Sequence, residues 1–439
     1  MIQEFNIKNY LSIKDTQTLS FIPRKSNLND ETFTAEVKPG VRLLKSVMIY
    51  GANASGKSNI LKALDFLRTI VIVTRKRGEK TGFVPFKFNQ ETMKSPGEFE
   101  IIFYQSKFKF RYYLKITEKE IIEEELNYYR SQSPACVFYR KTTSEQEISI
   151  EYGQGDDYRV NTAEREMIRA RVLPNVSVLS TLGEVSTKND ILLRAYNWFL
   201  NYLKPLITPE IRLKGSAVDM IFDEENKKIE NLLTDLMRKA DFNIDRIITD
   251  EEYIGTKEDE IKNKEDKLTY SHTLYYFNGN RAMTKVLGFH HNVVEGNETK
   301  SYPLEDELES RGTWRYFGLA GTLLEILQAN KILIIDELDS SLHPDLLNYF
   351  YSMFLVNSRR AQMIFTIHNR ELLEDKELCR RDSIWFTEKQ RDGSTELYSI
   401  ADLSGIRKDK SFEKLYKVGK FGATPNLGSL YLDIDYDKD

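Results

Sequence analysis

Lys45-Ser46-Val47-Met48-Ile49-Tyr50 followed by Gly51-Ala52-Asn53-Ala54-Ser55-Gly56-Lys57-Ser58 is the stretch on which the fold turns. The first six residues form a compact apolar run that stops abruptly at Gly51, as a buried strand does. The next eight satisfy G-x-x-x-x-G-K-[ST]. After Ser58 the period changes, with Ile60, Ala63, Leu64 and Leu67 at i, i+3, i+4 and i+7 on one helix face. Strand, glycine-rich turn and helix in that order make a phosphate cradle. The glycines let the backbone fold back so that its N–H groups encircle a phosphate at the helix N-terminus. Lys57 would reach the β- and γ-phosphates, and Ser58 would hold Mg²⁺. Gly51, Asn53, Ser55, Gly56, Lys57, Ser58 and Asn59 are therefore the candidate nucleotide-binding residues, with ATP and Mg²⁺ the expected ligands.

Far along the chain, Ile332-Leu-Ile-Ile-Asp336-Glu337 places two acids after four apolar residues. Open α/β sheets bind ligands at the C-terminal ends of their strands, where these acids would stand. Asp336 would hold Mg²⁺ through water and Glu337 would orient or deprotonate the attacking water. By itself such a run often marks only a strand end; the phosphate loop makes it chemistry. One helix and one strand further on comes His368, after Gln362-Met-Ile-Phe-Thr-Ile367. A parallel neighbour would bring it to the same sheet edge, beside the γ-phosphate. His343, before Pro344, reads equally as a helix cap or a dimer contact. His272, His290 and His291 lack metal-ligand spacing. Glu309-Ser310-Arg311-Gly312-Thr313 opens another amphipathic helix, either a second anion cradle or an ordinary cap by Ser310.

The remaining pattern surrounds these motifs. Phe5 and Ile7, Leu11 and Ile13, and Leu19 and Phe21 predict opening strands. Period-two, aromatic-rich sequence from Phe99 to about Tyr139 predicts an antiparallel meander. From Thr162 to Lys239 the signal is helical, notably at Leu192–Tyr202 and Ile229–Met237. Asp250–Lys267 is charged with both signs and reads as a solvated loop or exposed helix. Strand signals return at Leu274–Phe277 and Val286–Phe289. Strand and helix then alternate from Thr313 to Ile367, the mark of a parallel sheet covered by helices. Ile384–Glu388 and Thr395–Ile400 read as further strands before a closing helix.

Composition sets the outer bounds. With 439 residues, 41% hydrophobic and 30% charged, the chain fits a globular protein with a large core rather than a disordered or fibrous one. The net charge of −4 gives no global basic field, so nucleic acid would need a local patch. Arg75-Lys76-Arg77-Gly78, Lys107–Tyr113 and Arg165–Arg171 are the basic clusters. Cys136 and Cys379 have no nearby Cys or His partner and read as buried thiols. The N-terminus is not a secretory signal, and no run approaches a membrane helix; a cytoplasmic protein is expected.

GANASGKSN (51–59), ESRGTWR (309–315), IIDELDSSLHP (334–344), IFTIHNRELL (364–373), RRDSIWFTEK (380–389) and YKVGKFGATP (416–425) together resemble an ABC-type ATPase head. The likeness is to the branch containing SMC, RecF and OLD-like proteins, and more narrowly to AAA-type ATP-binding proteins encoded beside bacterial restriction and phage-defence loci. It spans about 1–100 and 300–430. It implies an α/β P-loop NTPase, an ABC-ATPase-like head with an antiparallel β lobe and a mostly helical insertion. The corresponding division is 1–160 (lobe I, with P-loop and meander), 161–300 (helical or mixed insertion) and 301–439 (lobe II). It also implies a head-to-tail homodimer or higher even oligomer around ATP. Gly51–Ser58, Asp336, Glu337 and His368 then serve one nucleotide, while Ser310 and Gly312 cap the γ-phosphate of the partner's, with Ser340-Ser341-Leu342 as the D-loop.

Two departures stand out. The signature L-S-G-G-Q is reduced to S-x-G, and the Mg²⁺-sensing Gln has no obvious counterpart. Ser180-Thr-Leu-Gly-Glu184 resembles the segment that carries it, which would make Glu184 a metal-site residue. OLD-like nucleases continue into a metal-dependent nuclease domain, whereas residues after His368 carry no acidic triad. The expectation is a slow ATPase (ATP and water to ADP and phosphate) that switches a separate effector protein in anti-phage defence. A DNA-repair ATPase clamping DNA is the alternative, and a barely hydrolysing scaffold the third reading.

Overall fold

The computed structural model describes residues 1–25, 30–131, 133–143, 147–211, 213–222, 227–240, 242–256, 274–278, 281–304, 308–375, 377–406 and 411–424. The chain divides into two compact units. One comprises Met1–Leu206, Ile332–Asp336 and Gln362–Asp439; the other comprises Ile207–Lys331 and Glu337–Ala361.

In the first unit the chain begins with β1 (Ile2–Lys8) and β2 (Gln17–Ser20), passes a small ribbon of β3 (Thr34–Lys38) and β4 (Val41–Leu44), and enters β5 (Ser46–Gly51). All six β5 residues are buried, which is why the stretch carries no polar alternation. Helix α1 (Lys57–Ile72) follows, burying Ile60, Ala63, Leu64 and Leu67, the face that the spacing predicts. The meander comes next: β6 (Gly97–Gln105), β7 (Phe108–Ile116), β8 (Ile121–Tyr129), β9 (Pro134–Thr142) and β10 (Ile148–Tyr152). These strands join the N-terminal pair in one seven-stranded antiparallel sheet, ordered β10-β9-β8-β7-β6-β1-β2. Helices α2 (Thr162–Arg171) and α3 (Asp190–Asn197) follow, the latter continued by a π-helical turn over Trp198–Tyr202. Trp198 stacks on Phe103 at 4.0 Å between ring centroids, fixing this segment on the meander.

In the second unit helices α4 (Lys214–Phe222) and α5 (Lys227–Lys239) lead to β11 (Ile244–Thr256), β12 (Leu274–Asn278), β13 (Arg281–Glu295) and β14 (Glu298–Leu304). β13 is the common partner of the other three strands. Helix α6 (Arg311–Ala329) packs Trp314 and Phe317 against Phe289 of β13, and α7 (Pro344–Asn357) completes the unit. A Cβ on Gly318 would stand 2.5 Å from Leu213 Cβ, and one on Gly321 2.6 Å from Ala217 Cβ. The two glycines are what let α4 and its leading turn lie this close to α6.

The chain returns to the first unit as β15 (Ile332–Ile335), β16 (Gln362–Thr366), β17 (Ile384–Lys389) and β18 (Thr395–Ser399). The second sheet is ordered β15-β16-β5-β17-β18, parallel except for β18 at its edge. One core holds Val47 and Ile49 of this sheet, Ile60 and Leu64 of α1, and Phe5, Ile101 and Leu114 of the antiparallel sheet. The fully buried Gln362 ties the two sheets together. Its Nε2 donates to Ile2 O at 3.0 Å and Leu44 O at 2.9 Å, and its Oε1 accepts from Ile2 N at 2.5 Å.

The P-loop NTPase fold with an antiparallel lobe is thus as expected, with three local corrections. Leu11–Ile13 is a tight turn closed by a Tyr10–Ile13 bridge, with Leu11 at φ 51°, rather than a strand. Thr162–Lys239 is only partly helical, because Leu173–Val178 runs as extended chain that Glu124 and Arg140 hold. Of the charged stretch Asp250–Lys267, residues 250–256 continue β11 rather than forming a loop, and 257–267 lie outside the described residues. Cys379 is buried, Cys136 is half-buried, and both are free thiols.

Candidate nucleotide site

β5 delivers the chain to Gly51 at the C-terminal end of the parallel sheet, and the loop then turns into α1. Two glycines are obligatory here. A Cβ on Gly51 would lie 2.5 Å from Thr387 Oγ1 and 2.6 Å from Ser55 Oγ. One on Gly56 would lie 2.8 Å from Ser12 Oγ and closer still to Thr395 Oγ1, at a backbone φ of 104° that only glycine adopts without strain. The loop is held from below by hydroxyls. Ser55 Oγ and Thr387 Oγ1 are 2.6 Å apart, Thr395 Oγ1 donates to Ser55 O at 2.9 Å, and Ser12 Oγ lies 2.7 Å from Thr395 Oγ1. Asn59 Nδ2 donates to Ser12 Oγ at 2.7 Å. The side chains of Ser55 and Asn59 are therefore spent on the scaffold, leaving their backbone to the cradle. Asn53 is exposed at the loop crest. Lys57 is buried, and its Nζ donates to Gly51 O at 2.9 Å and Ala52 O at 3.1 Å, so the ammonium lies folded over the loop it serves.

The neighbouring strands bring two further expected residues to this edge. Thr366 of β16 is in register with Ile49, and Ile367 N donates to Ile49 O at 3.2 Å, so His368 follows level with the start of the loop. One strand over, Ile335 of β15 is in register with Phe365. Asp336, 6% exposed, comes next and accepts from Thr366 Oγ1 at 2.5 Å. That bond fixes the carboxylate's direction while leaving its other oxygen for a ligand. The phosphate loop, His368 and Asp336 thus share the sheet's C-terminal edge, where open α/β sheets bind ligands. The donor set fits Mg²⁺, which takes one or two protein oxygens and completes its octahedron with phosphate and water. Consistently, the described residues contain no cluster of three His, Cys, Asp or Glu that would hold a metal alone.

Glu184 is corrected. It sits on a 3₁₀ turn (Ser180–Gly183 and its cap), where it accepts from Thr74 Oγ1 at 2.9 Å and pairs with Arg171 at 2.6 Å. The Thr74 hydroxyl and then Arg171 hold its carboxyl below the ordinary carboxylate range. Thr74 follows the C-terminal end of the 16-residue α1, whose N-terminus bears Ser58. At 1.5 Å per residue that puts Glu184 on the order of 20 Å from Ser58, beyond any shared ion. A Ser-Thr-Leu-Gly pattern carries no information about which end of α1 it will meet.

In the second unit, Ser310 caps α6. Its Oγ accepts from Thr313 N at 3.0 Å and lies 2.8 Å from Thr313 Oγ1. A Cβ on Gly312 would meet Ser310 Oγ and Ser341 O at 3.5 Å, ordinary contact. The Ser-x-Gly turn and the Ser340–Leu342 segment are therefore neighbours, as the D-loop reading requires of them. Ser341 has φ 63° and Glu337, which opens this segment, φ 50°. Such left-handed non-glycine residues are costly and tend to gather where function fixes the backbone. His343 caps α7 through Nδ1, which accepts from Asp345 N at 3.3 Å. Sequence reading missed Ser12, Thr387 and Thr395, whose only signal is a hydroxyl at a strand end.

Residues 46–374 match the AAA_21 family, described as "AAA domain, putative AbiEii toxin, Type IV TA system". No curated protein matches. Among solved structures, the SMC head domain from Thermotoga maritima is similar at 13% identity, over 91% of this chain and 98% of its own, with a TM-score of 0.40. The SmcHead bound to the C-winged helix domain of ScpA is similar at 14%, over 95% and 99%, with a TM-score of 0.40. The Smc head domain with an extended coiled coil, bound to the C-terminal domain of ScpA derived from Pyrococcus furiosus, is similar at 12%, over 96% and 98%, with a TM-score of 0.38. Among the described residues no helix is long and apolar enough to cross a membrane.

Proposed function

The chain belongs to the AAA_21 family of AAA-domain proteins, and from that premise we propose that it is an ATP-binding and ATP-hydrolysing molecular switch. The observation that carries this reading is the convergence of Lys57, Asp336 and His368 on one edge of the parallel sheet. In the proposed mechanism the backbone N–H groups of 51–58 and the Lys57 ammonium take the phosphates, exchanging the Gly51 and Ala52 carbonyls for a stronger charge-assisted partner. Ser58 and Asp336 hold Mg²⁺, which when bound neutralises the charge developing between the β- and γ-phosphates. Glu337, next in the chain, orients the attacking water and accepts its proton, and His368 contacts the γ-phosphate.

Ser310 and Gly312 act in trans, closing the nucleotide of a second copy in a head-to-tail dimer. Residues 1–160 and 301–439 are the ATPase lobes in this reading, and 161–300 the insertion. The switch works in the cytoplasm on a separate effector protein, in defence against phage. The first test is turnover of purified protein with ATP and Mg²⁺. Glu337→Gln removes the base and lowers turnover by about 10²–10⁴-fold while nucleotide stays bound. Equal turnover in wild type and variant contradicts the assignment.

A further inference from the structure

β10 stands at the end of the seven-stranded sheet with β9 as its one neighbour. Its sequence, Ile-Ser-Ile-Glu-Tyr, has neither the Pro nor the Lys that commonly blunts an edge strand. The ladder fixes which backbone groups are spent. Thr143 N donates to Glu147 O at 2.9 Å and Gly153 N to Val137 O at 3.0 Å, in the register that pairs Ile148–Tyr152 with Thr142–Phe138. Antiparallel pairs alternate between bonding toward the partner and away from it. Ser149 and Glu151 therefore bond to β9, and the N–H and C=O groups of Ile148, Ile150 and Tyr152 face the free edge. Of these, Tyr152 O accepts from Gln154 Nε2 at 3.2 Å.

A groove runs along that edge. Two concavities of about 740 and 720 Å³ adjoin at Ile148, Ile150 and Arg169, with helix α2 as the opposite wall. Two basic clusters, far apart in sequence, meet here: Arg77 from the first, Arg165 and Arg169 from the second, joined by Lys119. Three polar atoms lining the groove are buried with no hydrogen-bond partner: Arg165 Nη2, Tyr152 Oη and Glu120 Oε2. The Arg165 guanidinium lies 5.0 Å over the Tyr152 ring, so its Nη2 and the phenol form one pair of unmet donors. Unsatisfied buried groups are rare enough to need a reason.

We propose that this groove docks an extended acidic segment of a partner protein, which adds to the sheet beside β10. The chemistry selects this occupant. A strand supplies both N–H and C=O to the free edge, and carboxylates on its groove-facing residues answer Arg165 Nη2, Tyr152 Oη and the Arg77, Lys119 and Arg169 charges. A nucleic-acid backbone offers acceptors only, and would leave the Ile148 and Ile150 carbonyls and Glu120 Oε2 without a donor. The inference uses no residue of the nucleotide site and stands or falls apart from it.

The probe is a fluorescent peptide of four Thr-Glu repeats, titrated against the full chain by anisotropy. The control has the same composition with four Thr followed by four Glu. Ile150→Pro deletes one outward N–H and spares the β9 ladder, as proline does on an edge strand. Arg165→Glu with Arg169→Glu reverses the charge while keeping the edge. The alternating peptide binds wild type, the block peptide binds at least tenfold more weakly, and each variant loses at least tenfold with an unchanged melting temperature. Equal binding of both peptides, or full binding by folded Ile150→Pro, overturns the proposal. Should Ile150→Pro fail to fold, full binding by the charge-reversed variant overturns it. Binding of a single-stranded oligonucleotide with none of the peptide overturns it in favour of a polyanion site.

Discussion

Two turns in this protein place serine and glycine at a helix N-terminus, and they are built differently. At Gly51–Ser58 each glycine is dictated by its own chain: the space a Cβ needs is taken by Thr387, Ser12 and Thr395, and Gly56 lies at φ 104°. At Ser310–Gly312 nothing in its own unit requires a glycine, since a Cβ there meets only ordinary contacts at 3.5 Å. The difference teaches that the first cradle is complete within one molecule. At the second, any demand for a bare backbone must come from outside it, which is how a surface that closes on another copy's phosphate would look.

That contrast can be broken from both sides. Lys57→Ala has the largest expected effect, because it removes the one ammonium over the loop. ATP affinity measured by calorimetry should fall by about 10²-fold or more, with the melting temperature of the apo protein little changed. Gly56→Ala should come next: the left-handed φ and the Thr395 hydroxyl together cost about 1–3 kcal/mol, read as a lower melting temperature and weaker nucleotide binding. Thr395→Val tests the support under the loop. It removes the donor to Ser55 O and the Ser12 contact, at about 0.5–1.5 kcal/mol by denaturant unfolding. Gly312→Ala should be the smallest in the isolated chain, within about 0.5 kcal/mol of wild type and with unchanged nucleotide affinity, while ATP-dependent turnover of the assembled protein falls. A Gly312→Ala protein that melts as low as Gly56→Ala would erase the distinction.

How much was legible follows the same line. The loop, the Asp336 strand and the His368 strand could be read because each is a contiguous apolar run ending in a charged or glycine-rich turn, and the period changes sharply at Ser58. Their order across the sheet was only partly legible. A parallel pairing of the Asp336 and His368 strands follows from their spacing, but nothing local says that β17 will flank β5 with Thr387 in register with Gly51. The hydroxyl net under the loop is invisible for that reason: Ser12 and Thr395 are hundreds of residues apart and neither has a distinctive neighbourhood. Glu184 shows the opposite failure. A short similarity suggested a metal role, and the fold carried the residue to the far end of α1, where Thr74 and Arg171 hold it. At β10, too, the sequence shows only alternation; that the strand ends a sheet is a property of the topology.

The central claim is that ATP, once bound, holds two copies together until it is hydrolysed. The direct measurement is solution mass of Glu337→Gln by light scattering, with and without ATP and Mg²⁺, beside Lys57→Ala. The mechanism predicts a shift of Glu337→Gln to an even multiple of the monomer mass on adding ATP, reversed by removing nucleotide and absent in Lys57→Ala. The same mass for both variants in both conditions would contradict it.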